Sequence, residues 1–266
     1  MKNKQIILPN GKEVEEPRSY VSVIVICLTI LTYVFMNMTG FNFAQLINRG
    51  NQFFVIINEM FPPRFAYMTN VWTPLFDTIK MSILGTVIGA LLAVGAAILA
   101  SSTIIKNNVV VHTTRVFLSL VRTLPTLVIA LVATFIFGLG TLAGTVAISI
   151  FTFAYIGKQL YEIIETVNLD AFEAMDAIGI SKFMSFWLAI SPQIMPVYIS
   201  TTLFCLEGNV RHAAILGWVG AGGIGLILNE RIGFRDYSAV GMIIASLFVT
   251  VVLIEILSHL IRKRLT

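Results

Sequence analysis

Long apolar runs alternate with short polar segments along most of the chain. A helix needs about 20 apolar residues to cross the hydrocarbon core of a bilayer, and several of these runs approach or exceed that length. The pattern therefore predicts an all-α membrane protein with six transmembrane helices. The first four are expected at residues 20–38, 78–100, 116–137 and 140–156. The fifth passes through Pro192 and Pro196 and ends near residue 205, and the sixth is expected at residues 236–260.

Local signals refine this pattern. Gly85 and Gly89, four residues apart in the second predicted span, offer a small-residue face for close contact with another helix. Pro125 predicts a kink near the start of the third span, because proline cannot donate the helical hydrogen bond. Residues 39–77 are amphipathic and predict an interfacial helix that ends at Pro62-Pro63. The predicted regions are a tail at 1–19, a first span with an external interfacial segment at 20–77, and a helical core at 78–266.

Composition agrees with a membrane protein. Of 266 residues, 57% are hydrophobic and only 12% are charged, whereas about 25% are charged in a soluble domain. Cys27 and Cys205 lie in apolar runs without a neighbouring Cys or His, so we expect free thiols and neither a metal nor a cofactor. The net charge of +4 does not indicate nucleic-acid binding, because the basic residues cluster beside the predicted spans.

The basic residues also predict the orientation. With the N-terminus inside, twelve Lys and Arg residues fall on inner segments and six on outer ones, so the positive-inside rule places both termini in the cytoplasm. Arg122 is counted among the inner residues. Membrane topology is sufficient to explain a basic residue there, and a phosphate-attracting site beside Pro125 is the alternative.

A polar helix–turn–helix interrupts the apolar pattern at residues 168–196. Asn168 is a good N-cap, and Gly179 can adopt the left-handed conformation that ends a helix. An apolar residue recurs at helical spacing on one face of the first, short helix, and acidic residues lie near its start. The apolar positions are Leu169, Phe172, Met175 and Ile178. This segment is too polar for lipid and should face water or a partner protein.

The same segment resembles the cytoplasmic coupling loop of membrane subunits of binding-protein-dependent ABC importers. Glu173, Ala174, Gly179 and Pro192 fall in register with the signature Glu-Ala-Ala, three residues, Gly, nine residues, Ile-x-Leu-Pro, whereas Met175, Ala189 and Ser191 depart from it. The resemblance implies a type I ABC importer permease fold with a coupling loop at residues 158–185. It also implies contact with an ATPase through Phe172, Glu173, Ala174, Met175 and Gly179.

Two motifs follow the fifth predicted span. Glu207 and Arg211 are four residues apart, so an intrahelical ion pair is one interpretation; the other places Asn209, Arg211 and His212 on a translocation path that attracts an anion. Further on is a run that matches GxGxxG but lacks the strand–helix context of a dinucleotide site. We interpret it as a flexible or re-entrant element that forms part of a gate. Its glycines are Gly220, Gly222, Gly223 and Gly225.

Several segments together resemble phosphonate-importer permeases over roughly residues 60–260. They are Phe61-Pro-Pro63, Arg122-Thr-Leu-Pro125, Gly138-Leu-Gly140, Asn209-Val-Arg211 and Ile215 to Gly225. The resemblance implies a phosphonate or related phosphorus oxyanion as cargo, a bacterial cytoplasmic membrane location, two ATPase subunits, an external binding protein and a second permease copy or a close paralogue.

Three alternatives stay open from the sequence. A permease for another small solute such as methionine shares part of the glycine motif. An ATPase-independent secondary transporter is disfavoured because neither an inverted hydropathy repeat nor an acidic relay within the spans is visible. A membrane enzyme is disfavoured because His112, His212 and His259 are scattered and no catalytic motif occurs. The chain also lacks a GxxxxGK[ST] motif, so ATP hydrolysis should belong to a separate subunit.

Overall fold

The computed structural model describes residues 5–7, 13–15 and 20–264, and helices account for most of them. We describe two compact units separately, residues 1–56 and 57–266. The helices are α1 (Val21–Met38), α2 (Phe43–Met60), α3 (Met68–Ala100), α4 (Asn108–Thr123), α5 (Thr126–Phe137), α6 (Thr141–Ile164), α7 (Asp170–Ala177), α8 (Lys182–Ser185), α9 (Ser191–Leu216), α10 (Ile224–Gly233) and α11 (Tyr237–Arg262).

The first unit contains a short hairpin and the first apolar helix. Strands β1 (Gln5–Ile7) and β2 (Glu13–Glu15) pair antiparallel, with Ile6 opposite Val14. Most of the predicted tail at residues 1–19 lies outside the described residues. Helix α1 confirms the first predicted span, and α2 is the predicted amphipathic helix that precedes Pro62-Pro63.

The second unit is a helical bundle in which α3 packs closely along α6. The predicted small-residue face of α3 is confirmed. A Cβ atom added at Gly85 would lie 2.6 Å from Ile148 Cγ2, and one at Gly89 would lie 2.5 Å from the Ser149 carbonyl oxygen. Glycine therefore lets the two backbones approach more closely than any larger residue would permit.

Several predicted boundaries change in the structure. Among the described residues, five helices are long and apolar enough to cross a membrane, or six if α4 and α5 together form one span. These two helices bend by 90° at Leu124-Pro125, much more than the kink we predicted. Helix α3 begins at Met68 rather than at residue 78 and continues through Pro74, its seventh residue, whose missing N–H leaves one interior helical hydrogen bond unmade.

The later helices are also longer than predicted. Helix α6 continues to Ile164 rather than ending near residue 156, and α9 continues to Leu216 rather than ending near residue 205. A π-helical segment, Phe186–Ile190, joins α8 to α9. Pro192 lies at the start of α9, directly after the π-helical segment, and the chain stays helical through this junction.

Candidate functional site

Of the predicted coupling loop at residues 158–185, residues 158–164 belong to α6, and residues 168–185 fold as the predicted helix–turn–helix. From here on the name coupling loop refers to residues 168–185. Asn168 Oδ1 accepts the Asp170 N–H at 2.7 Å, although Leu169 rather than Asn168 directly precedes the helix. Gly179 has φ +85°, and the Ile180 N–H donates to the Met175 carbonyl oxygen at 3.1 Å. The stop signal at Gly179 is therefore confirmed. The start lies one residue later than predicted, and Asn168 satisfies one of the free N–H groups there.

One face of α7 packs onto the bundle. Phe172 is 5% exposed and belongs to a buried cluster drawn from several helices, with Leu169 and Met175 against the same cluster. The fourth position of the predicted apolar stripe differs, because Ile178 is 76% exposed at the end of the helix. The stripe therefore fixes α7 to the bundle but stops one turn early.

The other face of the coupling loop is open. Glu173 and Ala174 are exposed, as is Ile178. On the second arm, Phe183 is 68% and Met184 52% exposed. Charged and apolar groups thus lie together on the exposed face of a short helix–turn–helix, which is the arrangement expected of a docking surface.

An ion pair and several hydrogen bonds connect the end of α6, just before the coupling loop, to Ser102 and Arg115. The Glu165 carboxylate accepts hydrogen bonds from the Ser102 hydroxyl, the Ser102 N–H and Arg115, and Arg115 Nε donates to the Ala100 carbonyl oxygen at 2.8 Å. The Arg115 guanidinium also lies 4.9 Å from the centre of the Tyr161 ring. Burial alone would raise the pKa of Glu165, but its hydrogen bonds and the Arg115 charge outweigh it and lower that pKa.

The four predicted gate glycines lie in one segment, residues 220–225, which we call the glycine segment. Gly220, Gly222 and Gly223 have φ between +72° and +81°, a region that favours glycine. A Cβ atom would lie 2.7 Å from the Thr141 nitrogen at Gly222 and 2.6 Å from Thr78 Oγ1 at Gly223. The segment is therefore wedged between α3 and the start of α6.

Hydrogen bonds and close packing complete this wedge. The Ile224 N–H donates to Thr78 Oγ1 at 2.7 Å, and the Gly140 N–H donates to the Gly220 carbonyl oxygen at 2.9 Å. At Gly225, a Cβ atom would lie 2.1 Å from the Ala214 carbonyl oxygen. These contacts explain physically why glycine recurs here, and the gating role stays a prediction.

The three predicted path residues meet different surroundings. Asn209 is buried, and its Nδ2 donates to Thr86 Oγ1 at 2.8 Å and to Thr152 Oγ1 at 2.9 Å. Arg211 and His212 are exposed on the single chain. Both donors of the Asn209 amide are therefore used to join α9 to α3 and α6, while its two neighbours remain accessible.

The intrahelical ion pair between Glu207 and Arg211, one of the two interpretations of their spacing, is not formed. Glu207 is 5% exposed, and its carboxylate accepts from Arg262 Nη2 at 2.9 Å. Arg211 Nε instead contacts the Glu207 backbone carbonyl oxygen at 3.3 Å. The partner lies on α11, far away in sequence, so helical spacing alone could not have indicated it.

Sequence reasoning missed a group of side chains along α6. The Arg122 guanidinium lies 5.6 Å from the centre of the Tyr155 ring, Tyr155 stacks on Phe151 at 5.9 Å, and the His212 ring lies 6.1 Å from Phe151. Gln159 Nε2 donates to the Tyr155 hydroxyl oxygen at 3.2 Å. The available sequence signal was the four-residue spacing of Phe151, Tyr155 and Gln159 on one helix face.

This group changes the interpretation of Arg122. Tyr155 is the fifteenth of the 24 residues of α6, so Arg122 lies opposite the middle of an apolar helix rather than at the end of one. An arginine that faces lipid at mid-span costs about 3 kcal/mol on insertion scales. Membrane topology and an anion-binding role therefore both stay predictions for Arg122.

Comparisons with known proteins find similarity to membrane components of transport systems. A model of the family described as "Binding-protein-dependent transport system inner membrane component" matches residues 85–266. The phosphate-import permease protein PhnE of Mycolicibacterium smegmatis is 33% identical over 211 residues, which is 79% of this chain and 40% of that protein. The phosphite transport system permease protein PtxC of Stutzerimonas stutzeri is 29% identical over 220 residues, 83% of this chain and 80% of that one.

A solved structure supports the fold. A chain of the methionine ABC transporter MetNI in an inward-facing conformation superposes with a TM-score of 0.68 at 20% identity, covering 76% of this chain and 99% of that chain. At that level of identity the likeness concerns the fold alone. The present chain spans about two fifths of the length of the mycobacterial PhnE.

Proposed function

Because the chain belongs to the family of binding-protein-dependent transport system inner membrane components, we propose that it is the permease subunit of an ATP-driven importer. The observation that carries this proposal is the coupling loop. Its inner face is fixed by Phe172, and its outer face leaves Glu173 and Ile178 exposed. A short helix held in this way can transmit the motion of an ATPase to the bundle because it moves with α6 and α9.

The cargo is a phosphonate or a related phosphorus oxyanion, such as phosphite or a phosphate ester. Two kinds of observation support this assignment: relatives are named as phosphate and phosphite permeases, and Arg211 and His212 are exposed cationic or polar groups on α9. Asn209 contributes by holding α9 in register beside them. The glycine segment contributes as the gate, since it packs against the helices that must move apart.

The importer contains further subunits. Two copies of a separate ATPase supply ATP hydrolysis, an extracytoplasmic binding protein delivers the anion, and a second permease copy or a close paralogue completes the path. The complex lies in the bacterial cytoplasmic membrane with both permease termini in the cytoplasm. Phe172 and Met175 support the coupling loop, Glu173 and Ala174 contact the ATPase, and Gly179 sets the turn.

The first test is copurification from the native membrane in mild detergent. Wild-type chain should bring down an ATPase with a GxxxxGK[ST] motif at about one copy per permease, and Glu173→Arg should lose it because the exposed carboxylate is reversed in charge. Glu230→Arg is the matched control, since Glu230 is also exposed but lies on α10, away from the loop. If the ATPase is absent from the wild type in several detergents, the importer proposal fails.

A second test separates the importer from a secondary transporter. Uptake should stop when ATP is depleted while the proton gradient is clamped. Uptake that continues without ATP would favour an ATPase-independent transporter instead.

A further inference from the structure

The side chains along the middle of α6 form a continuous row that we call the α6 strip, in the order His212, Phe151, Tyr155 and Arg122, with Gln159 bonded to the Tyr155 hydroxyl. The row draws on three helices, α4, α6 and α9. Arg122 and His212 are exposed on the single chain, and the three α6 residues are half-buried. Polar groups thus lie at both ends of an aromatic pair.

The α6 strip lies along the middle and second half of its helix. Phe151 and Tyr155 are the eleventh and fifteenth residues of the 24-residue helix α6, which places them about 15 and 21 Å from its start. A guanidinium beside an apolar helix is more stable next to water, protein or a bound counter-charge than next to acyl chains. A protein interface or a water-filled path is therefore the surrounding that suits Arg122.

Arg122 differs from three other arginines of the bundle in its charge partners. Arg64, Arg115 and Arg262 each pair with a carboxylate on another segment. Among the described residues, Arg122 pairs with no carboxylate; it contacts the Tyr155 ring, and its charge also acts on Tyr161. Its N–H donors point to an anion that comes from outside this chain.

We propose that the α6 strip is a transient binding site for the phosphorus oxyanion as it crosses the membrane. This inference rests on the proposed function. The planar guanidinium of Arg122 presents paired N–H donors that match two oxygens of a tetrahedral oxyanion. Gln159 already donates to the Tyr155 oxygen, so the Tyr155 hydroxyl hydrogen is available to a third acceptor. His212 provides a second polar contact at the far end of the strip.

The test uses the complete transporter, with its ATPase and binding protein, in proteoliposomes, and radiolabelled phosphite and methylphosphonate as the two probes. Arg122→Gln should lower uptake of both probes at low concentration by about tenfold or more, because a charge-assisted bidentate contact is lost. Tyr155→Phe should lower it by about threefold, because one hydrogen-bond donor is lost. Arg122→Lys should recover part of the rate. Lys80→Gln is the control: Lys80 is an exposed basic residue on α3 that pairs at 3.3 Å with Asp77, and the uptake of this variant should match the wild type.

The outcomes separate this proposal from the proposed function. If the wild type takes up the probes and the uptake rate of Arg122→Gln is within twofold of the wild-type rate, the proposal for the α6 strip is wrong and the importer proposal still stands. If Arg122→Gln instead breaks the transporter apart during size-exclusion chromatography, the strip packs against a second permease and the proposal is wrong. If the wild type takes up neither probe, the proposed function fails and the strip fails with it.

Discussion

Two of the segments that contain left-handed glycines, the coupling loop and the glycine segment, have opposite surroundings. At Gly179 in the coupling loop, with φ +85°, an added Cβ atom would meet nothing within 4 Å. At Gly222 in the glycine segment, with φ +81°, it would lie 2.7 Å from the Thr141 nitrogen. Glycine is thus needed in the loop for the direction of the backbone alone, and in the glycine segment also for the space that a side chain would occupy.

This difference indicates how each segment can act. An exposed turn can bind a partner without disturbing the bundle, because nothing packs behind the left-handed residue. A wedged segment cannot change conformation unless α3 or the start of α6 also moves. Any gate at residues 220–225 therefore opens together with helix displacement rather than as an independent flexible loop.

The largest expected effect comes from replacing one left-handed glycine in each segment by alanine. Gly222→Ala should lower the free energy of unfolding by about 2 to 4 kcal/mol, because a left-handed backbone conformation and a steric clash add together. Gly179→Ala should cost only about 1 to 2 kcal/mol, from the backbone term alone. Thermal unfolding of the purified chain in detergent compares the two variants, at about 2 to 4 °C for each kcal/mol. If the two variants lose the same free energy of unfolding, the residues around Gly222 can move aside for the added methyl group at no cost.

A smaller effect is expected at the polar contact next to this wedge. Asn209→Ala should cost about 2 kcal/mol, because it removes two buried hydrogen bonds and leaves a small cavity. Thr202→Ala is the control on the same helix, since the Thr202 hydroxyl bonds within α9, to Tyr198 four residues earlier, rather than to another helix. An Asn209→Ala chain that melts like the wild type but loses uptake would mean that Asn209 contacts the anion rather than holding α9.

The features that the sequence predicted well are those governed by local chemistry. Asn168 and Gly179 mark the ends of α7 because capping and left-handed conformations depend on neighbouring residues. Gly85 and Gly89 mark a close helix contact because spacing on one helix determines which residues share a face. The family and the all-helical membrane fold follow from such patterns in combination.

The features that the sequence did not predict depend on contacts between distant segments. Glu207 pairs with Arg262, 55 positions away, instead of with Arg211 one turn away. Arg122 lies opposite the middle of α6 because the chain turns by 90° after α4. Proline at position 125 predicted a bend, but its angle is set by packing between helices, which the local sequence does not encode.

The smallest expected effect concerns the Glu165 contacts at the base of the coupling loop. Glu165→Gln should lower stability at pH 7 by about 1 to 2 kcal/mol, because a charge-assisted pair with Arg115 is lost. The pKa of Glu165 is lowered in the folded chain, so the carboxylate stabilises the fold above its ordinary pKa, near 4.5. That contribution is lost as the pH falls through the lower, folded pKa.

The pH dependence distinguishes this pair from an ordinary surface contact. The difference in melting temperature between the wild type and Glu165→Gln should be largest near pH 7 and shrink as the pH falls below about 4.5. Glu162→Gln is the control: Glu162 is more exposed and lies 3.8 Å from Lys158, so its variant should change stability by about 0.5 kcal/mol or less. A Glu165→Gln difference that persists unchanged at low pH would assign the effect to packing rather than to charge. In that case the coupling loop would be held to the bundle by Phe172 and its apolar neighbours alone.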